Sequence, residues 1–346
     1  FFKQKTAYEM LRSLVGSEMC IRDRYDAEAE ALRLAVEKVK QNPGGMDLPV
    51  LGPDNKFPIN LFCNDSLEPS TSANNRSVFT RWIRNGTGLV NLYVNGEALK
   101  VLEDDSDKPK FIWLLESREI IPDQYKFIEE NYDFVASRVD GIFTADQRLT
   151  TEAGPDGKFL YCLSNAAPWV MDRAVYKKSK LVSMIASNKG YTEGHRRRLR
   201  VVQAFVDKFG QEDLYGWGLT HELPLKEKST GLKDYMFSFA CENANYPTYF
   251  TEKLTDCFAC GTIPVYYGTA GVAQYFNPDG IIFLESAAPW VNIPWEKLTP
   301  EYYESKKDVI QENFEIAQCM RVAEDYMYGN YLYQLDPLRQ QKPQLT

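Results

Sequence analysis

Residues 235–268 read YMFSFACENANYPTYFTEKLTDCFACGTIPVYYG. The stretch opens on an apolar run, Tyr235–Cys241, and breaks into Glu242-Asn243. A loop follows through Tyr249, Thr251-Glu252-Lys253 opens a helical pattern that stops at Gly261, and Ile263-Pro264-Val265 begins another apolar run at once. Strand, loop, helix and strand in that order predict a βαβ unit. Strands that are continuously apolar instead of alternating belong in a parallel sheet covered on both faces. Ligands of such sheets sit outside the carboxyl ends of the strands. Glu252 can accept hydrogen bonds from sugar hydroxyls and Lys253 can neutralise phosphate oxygens, although a lone Glu–Lys pair is common on any helix surface.

Working outward, Leu181–Ala186 is a second apolar run, followed by Ser187-Asn188-Lys189-Gly190 and a helix that begins near His195. Leu199, Val202, Phe205, Val206 and Phe209 mark its apolar face and Gly210 its stop. Its start carries Arg196, Arg197, Arg198 and Arg200. The amino end of a helix is already positive, so each cation there is unfavourable by a few tenths of a kcal/mol, about 0.3 or more. Four of them suggest compensation by an anion such as a diphosphate, held by backbone N–H groups and one guanidinium fork. A solvated basic face is the alternative.

Further apolar runs predict strands at Ile59–Cys63, Leu89–Val94, Phe111–Leu115, Gly141–Thr144, Phe159–Leu163 and Ile281–Leu284. With helical patterns between them, the fold class is α/β. Asn165–Lys180 is the expected domain junction, which divides the chain into residues 25–175 and 176–335 with a polar tail at 336–346. A polar helix is expected over Ala27–Gln41, and two tyrosine-rich helices over Glu301–Asn313 and Glu315–Leu332. Residues 1–24, ending in LVGSEMCIRDR, resemble a translated sequencing adapter and are set aside as non-native. A leader or membrane anchor before Tyr25 therefore stays open, and with it cytoplasmic, membrane-associated or Golgi-like placement.

The net charge of −8 argues against nucleic acid as a partner. Cys257 and Cys260 form a C-x-x-C, but a zinc site needs more ligands than His195 and His221 offer, and two small residues on one helix face are the simpler reading. Asp105-Ser106-Asp107 has the form of a metal-binding D-x-D, set in an acidic turn. No G-x-G-x-x-G follows any apolar run, which argues against a dehydrogenase.

Tyr235–Gly268 resembles the donor-binding motif of the family ten α-1,3/1,4-fucosyltransferases. The likeness extends forward through Phe276–Gly280 and back to the Leu181–Gly190 segment with its arginines, and it is thin over the first half of the chain. It implies a GT-B architecture, two Rossmann-like domains with parallel sheets facing a cleft. The implied activity is inverting transfer of fucose from GDP-fucose to a hydroxyl of an acceptor oligosaccharide or glycan, with no metal cofactor. Carried over by position, Asn243, Tyr249, Glu252 and Lys253 would bind GDP-fucose and Arg198 would grip its diphosphate, with Arg196 or Arg197 as alternatives. FIWLLES (Phe111–Ser117) resembles the family segment that carries the general base, which makes Glu116 the candidate and Glu119 its nearest competitor. The sequence departs from the family at Ala240-Cys241-Glu242, where a Phe usually precedes Glu-Asn. Three alternatives remain beside this reading: a metal-dependent GT-A enzyme using Asp105 and Asp107, a GT-B transferase for another nucleotide sugar, and an inactive nucleotide- or glycan-binding module.

Overall fold

The structure is a computed structural model that describes residues 56–64, 76–84, 86–152, 157–287 and 290–336. The adapter-like residues 1–24, the helix expected over Ala27–Gln41, residues 65–75 and residues 337–346 lie outside the described residues.

Two all-parallel sheets flanked by helices give the expected α/β class. The first sheet is built from β1 (Phe57–Phe62), β2 (Thr80–Ile83), β3 (Val90–Val94), β4 (Lys110–Leu114), β5 (Gly141–Thr144) and β6 (Phe159–Tyr161), in the order β2-β1-β3-β4-β5-β6. The second comprises β7 (Lys180–Ile185), β8 (Leu214–Tyr215), β9 (Tyr235–Cys241), β10 (Ile263–Tyr267) and β11 (Ile282–Phe283), in the order β11-β10-β9-β7-β8. A short antiparallel ribbon, β12 (Glu285–Ala287) with β13 (Trp290–Asn292), follows.

The helices named here, in chain order, are α1 (Pro122–Glu130), α2 (Tyr132–Ala136), α3 (Gln147–Glu152), α4 (Glu193–Phe209), α5 (Glu252–Ala259), α6 (Pro300–Glu304), α7 (Lys307–Cys319) and α8 (Ala323–Asn330). On the second sheet, Val182, Met184, Phe237, Phe239, Ile263 and Val265 pack under Val201 and Phe205 of α4. Full burial of a side chain such as Phe205 contributes about 2–3 kcal/mol. The opposite face, with Ala240 and Tyr266, is covered by Leu254, Cys257 and Phe258 of α5. The apolar runs are continuous because both faces are covered. Cys257 and Cys260 lie in that core, where burial pushes the Cys260 thiol up to about 12.

One expectation needs correction. The region expected to form two helices from 301 to 332 is three, α6, α7 and α8, with the chain extended at Met320 and Val322 between the last two. The last part of the 176–335 span also packs on the first sheet: Ala323, Met327, Tyr328 and Leu332 sit against Phe57, Ile59 and Leu92. Asp325 fixes this return by accepting from Val78 N at 3.0 Å, Phe79 N at 3.2 Å and the Ser77 hydroxyl. Asp336, placed in the tail from sequence, is buried and accepts from Tyr328 OH at 2.6 Å.

Candidate active site

The second sheet changes direction between β7 and β9. From β7 the chain steps to β8 on one side, then returns to lay down β9, β10 and β11 on the other. The carboxyl ends of adjacent strands thus lead into opposite connections, which opens a crevice for ligands. Ser187 follows β7 here and Glu242-Asn243 end β9, and Arg198 of α4 bridges them. Its Nη1 donates to Asn243 Oδ1 at 3.1 Å and its Nη2 to Ser187 Oγ at 2.8 Å. Arg198 is only 6% exposed, and its Nε is buried with no hydrogen-bond partner. Burial pulls its pKa below the usual arginine value, against the pull of Glu242.

The other arginines go elsewhere. Arg196 and Arg200 both pair with Glu193, at 3.0 and 2.9 Å, so that carboxylate supplies part of the compensation that the sequence suggested an anion must provide. Arg197 donates to Tyr267 OH, its guanidinium 5.0 Å from the centre of that ring. Among Arg196, Arg197 and Arg198, only Arg198 is held by the ends of β7 and β9. Thr192 caps α4 by accepting from His195 N, and His195 Nδ1 accepts in turn from Thr192 N. Burial, then Arg198, Lys189 and Lys253, lower the His195 pKa to about 4. Burial together with the positive charge of three cations therefore disfavours protonation of the histidine at the start of α4.

Thr251 caps α5, whose first turn carries Glu252 and Lys253. Glu242 is fully buried and accepts from Thr251 N at 2.8 Å and Thr251 Oγ1 at 2.7 Å. Lys253 Nζ lies between two carboxylates, 3.4 Å from Glu242 and 3.7 Å from Glu252. Burial works against the charge on Lys253, but Glu252 and Glu242 outweigh it and hold its pKa above the ordinary value. Burial would raise Glu252, yet Lys253 and Lys228 hold it below the usual carboxylate value. Glu242, dominated by burial, is raised. Tyr249 is enclosed, its ring 4.9 Å from that of Tyr246 and packed with Ala145 and Ala244.

Glu116 comes from the first sheet, two residues past β4. Its N–H donates to Asn95 Oδ1 at 3.0 Å and its carbonyl accepts from Tyr125 OH at 3.3 Å. The segment after β6 ties this strand end to α5: Ser164 Oγ donates to Leu115 O at 3.3 Å, and Asn165 O accepts from Glu252 N at 2.7 Å. The Glu116 carboxylate is one of the charges that raise the pKa values of Tyr249 and Lys253. Of the six residues singled out from sequence, Arg198 and Asn243 are joined by a hydrogen bond and Glu252 and Lys253 by an ion pair, while the Glu116 charge reaches Tyr249 and Lys253 electrostatically. Glu119 instead acts on Tyr246.

Sequence reasoning missed Ser187 as the partner of Arg198, the anchoring role of Glu242, and Lys228, which reads as one of several lysines in a polar loop. It also gave no weight to His195, although its place three residues after Thr192 is a capping-box spacing. Asp105 and Asp107 are exposed, and the carboxylate engaged in that turn is Asp104, which accepts from Asn91, Tyr93 and Ser106. Among the described residues no group of three His, Cys, Asp or Glu side chains is placed to hold a metal. A cavity of about 400 Å³ lined by Asn60, Tyr93 and Asp104 shares no residue with the set around Arg198.

Residues 175–286 match the sequence profile of the glycosyltransferase family 10 (fucosyltransferase) C-terminal domain. A Helicobacter pylori protein, alpha-(1,3)-fucosyltransferase FucT, is 38% identical over 58 residues, a match that spans 17% of this chain and 12% of that relative. Among solved structures, an alpha1,3-fucosyltransferase with GDP aligns over 86% of this chain and 94% of its own, at 12% identity and a TM-score of 0.46. T4 phage beta-glucosyltransferase aligns over 75% and 86%, at 12% identity and a TM-score of 0.41. The stretch that is similar to the fucosyltransferase family 10 C-terminal domain, residues 175–286, holds Arg198, Asn243, Tyr249, Glu252 and Lys253.

Proposed function

We propose that the chain is an inverting glycosyltransferase that moves fucose from GDP-fucose to a hydroxyl of an acceptor glycan. The observation that carries the reading is Arg198, buried across the β7–β9 switch point on Asn243, with Lys253 paired to the adjacent Glu242, in residues that match the family 10 profile. A buried Arg198 and a half-buried Lys253 near the carboxyl ends of parallel strands suit a diphosphate, and the start of α4 adds its N–H groups.

The chemistry is a single in-line displacement. The acceptor oxygen attacks the anomeric carbon while its proton passes to the Glu116 carboxylate. The bond from that carbon to the diphosphate oxygen breaks, and the electron pair leaves with GDP. Arg198 and Lys253 offset the charge growing on the diphosphate. Preorganised donors of this kind contribute about 3 kcal/mol each to the barrier reduction. Glu252 accepts from a fucose hydroxyl, while Asn243 holds Arg198 and Tyr249 fills the floor beneath the loop. The positive charge for the leaving group comes from side chains, so the reaction should run with chelator present.

The test is GDP release from GDP-fucose over a panel of acceptor glycans, with the unaltered chain and with Glu116→Gln. Loss of the base should lower turnover by about 10²- to 10⁴-fold, with GDP-fucose affinity kept within a few-fold. Turnover by Glu116→Gln equal to that of the unaltered chain would remove Glu116 from the mechanism.

A further inference from the structure

Lys228 sits in the 3₁₀ turn Leu225–Gly231, between β8 and β9, and is one of the few lysines that the fold buries, at 8% exposure. Its Nζ lies 2.6 Å from Asp256 Oδ2 and 3.3 Å from Glu252 Oε1, and 5.1 Å from the centre of the Trp169 ring. Asp256 is anchored on its other oxygen by Trp169 N at 2.6 Å and Val170 N at 3.0 Å. Two other segments, α5 and the stretch at Trp169, thus converge on one ammonium.

We propose that Lys228 is a positioning residue for the donor sugar, which together with Lys253 fixes Oε1 of the Glu252 carboxylate. The assignment rests on the donor reading given above. Glu252 and Asp256 stand four apart on α5, so their side chains face each other across one turn. Two buried carboxylates at that spacing repel, and without a cation between them one takes up a proton. Both lysines meet Glu252 at Oε1, which holds the carboxylate by one edge. An ionised Glu252 accepts a charge-assisted bond from a sugar hydroxyl, whereas a protonated one accepts more weakly and a rotated one loses the bond. GDP has no fucose and does not need Glu252. A role confined to stability would weaken GDP and GDP-fucose alike, so the ratio of the two affinities separates the roles.

The experiment is calorimetric titration of GDP and of GDP-fucose into the unaltered chain and Lys228→Met, with folding followed by thermal melting. Lys228→Met should weaken GDP-fucose by at least about 10-fold, the loss of a hydrogen bond to a charged group, and GDP by less than about 3-fold. If Lys228→Met is unfolded at the assay temperature, Lys228→Gln, which keeps a donor and removes the charge, is titrated in its place and must show the same selective loss. Equal losses for the two ligands, or no loss, in a folded variant would overturn the assignment. Failure of the unaltered chain to bind GDP would instead overturn the donor reading, and the Lys228 assignment with it.

Discussion

The start of α4 concentrates charge on a group that stays neutral. His195 Nδ1 accepts from Thr192 N at 3.3 Å, which assigns the ring proton to Nε2. Burial, Arg198, Lys189 and Lys253 all disfavour a second proton, so His195 titrates at about 4 in the folded chain and at the ordinary 6.5 when unfolded. Between those values the unfolded chain holds more protons. The His195 contribution to stability is therefore complete above pH 6.5 and is lost as pH falls toward 4. Denaturant melts from pH 7 to 4.5 should show a shallower fall in stability for His195→Gln than for the unaltered chain, and identical slopes would contradict this. At this scale the sequence was legible where a residue stood in a motif, as Glu252 and Lys253 do. It was illegible where burial decided the role: nothing in LPLKEKSTG distinguishes Lys228, which is buried, from Lys226, which is exposed.

The placement of Arg198 depends on how closely α4 approaches the end of β9. A Cβ built on Gly194 would lie 1.8 Å from the Asn243 carbonyl oxygen and 2.6 Å from its carbonyl carbon. Both are backbone atoms that cannot rotate away, so Gly194→Ala must push the helix off the strand end. Overpacking of this kind costs about 1–3 kcal/mol, and the Arg198–Asn243 bond should go with it. Gly194→Ala is expected to lower both the melting temperature and GDP affinity, whereas Gly329→Ala, with open space around its Cβ, should lower neither. A Gly194→Ala variant with unchanged melting and affinity would show that the contact relaxes freely. The longer strands were readable because they are apolar throughout. β2 (TRWI) was not, because an edge strand with partly exposed polar positions lacks that signal, and β8 has only two residues.

At the scale of the molecule, the site is assembled from both sheets, with the polypeptide after β6 as the connection. Ser164 holds the Glu116 end of β4, Asn165 accepts from Glu252 N, and Thr255 Oγ1 donates to Ala166 O at 2.8 Å. Farther round the site, Thr248, held at φ +68°, donates to Ala145 O beyond β5 at 2.8 Å. The α/β class was legible from alternating strand and helix patterns, the pair of parallel sheets was implied by the family resemblance, and the strand order within each sheet was not read. The return of α8 to the first sheet was not, since an amphipathic helix carries no record of which apolar face it covers. The most direct test of the account is calorimetric titration of GDP, GDP-fucose and UDP-galactose, with chelator present, into the unaltered chain and Arg198→Ala. The account predicts that GDP and GDP-fucose bind, that UDP-galactose does not, and that Arg198→Ala weakens both guanine nucleotides by at least about 10-fold, as expected for lost charged hydrogen bonds. Absence of guanine-nucleotide binding, or an Arg198→Ala variant that binds as tightly as the unaltered chain, would contradict it.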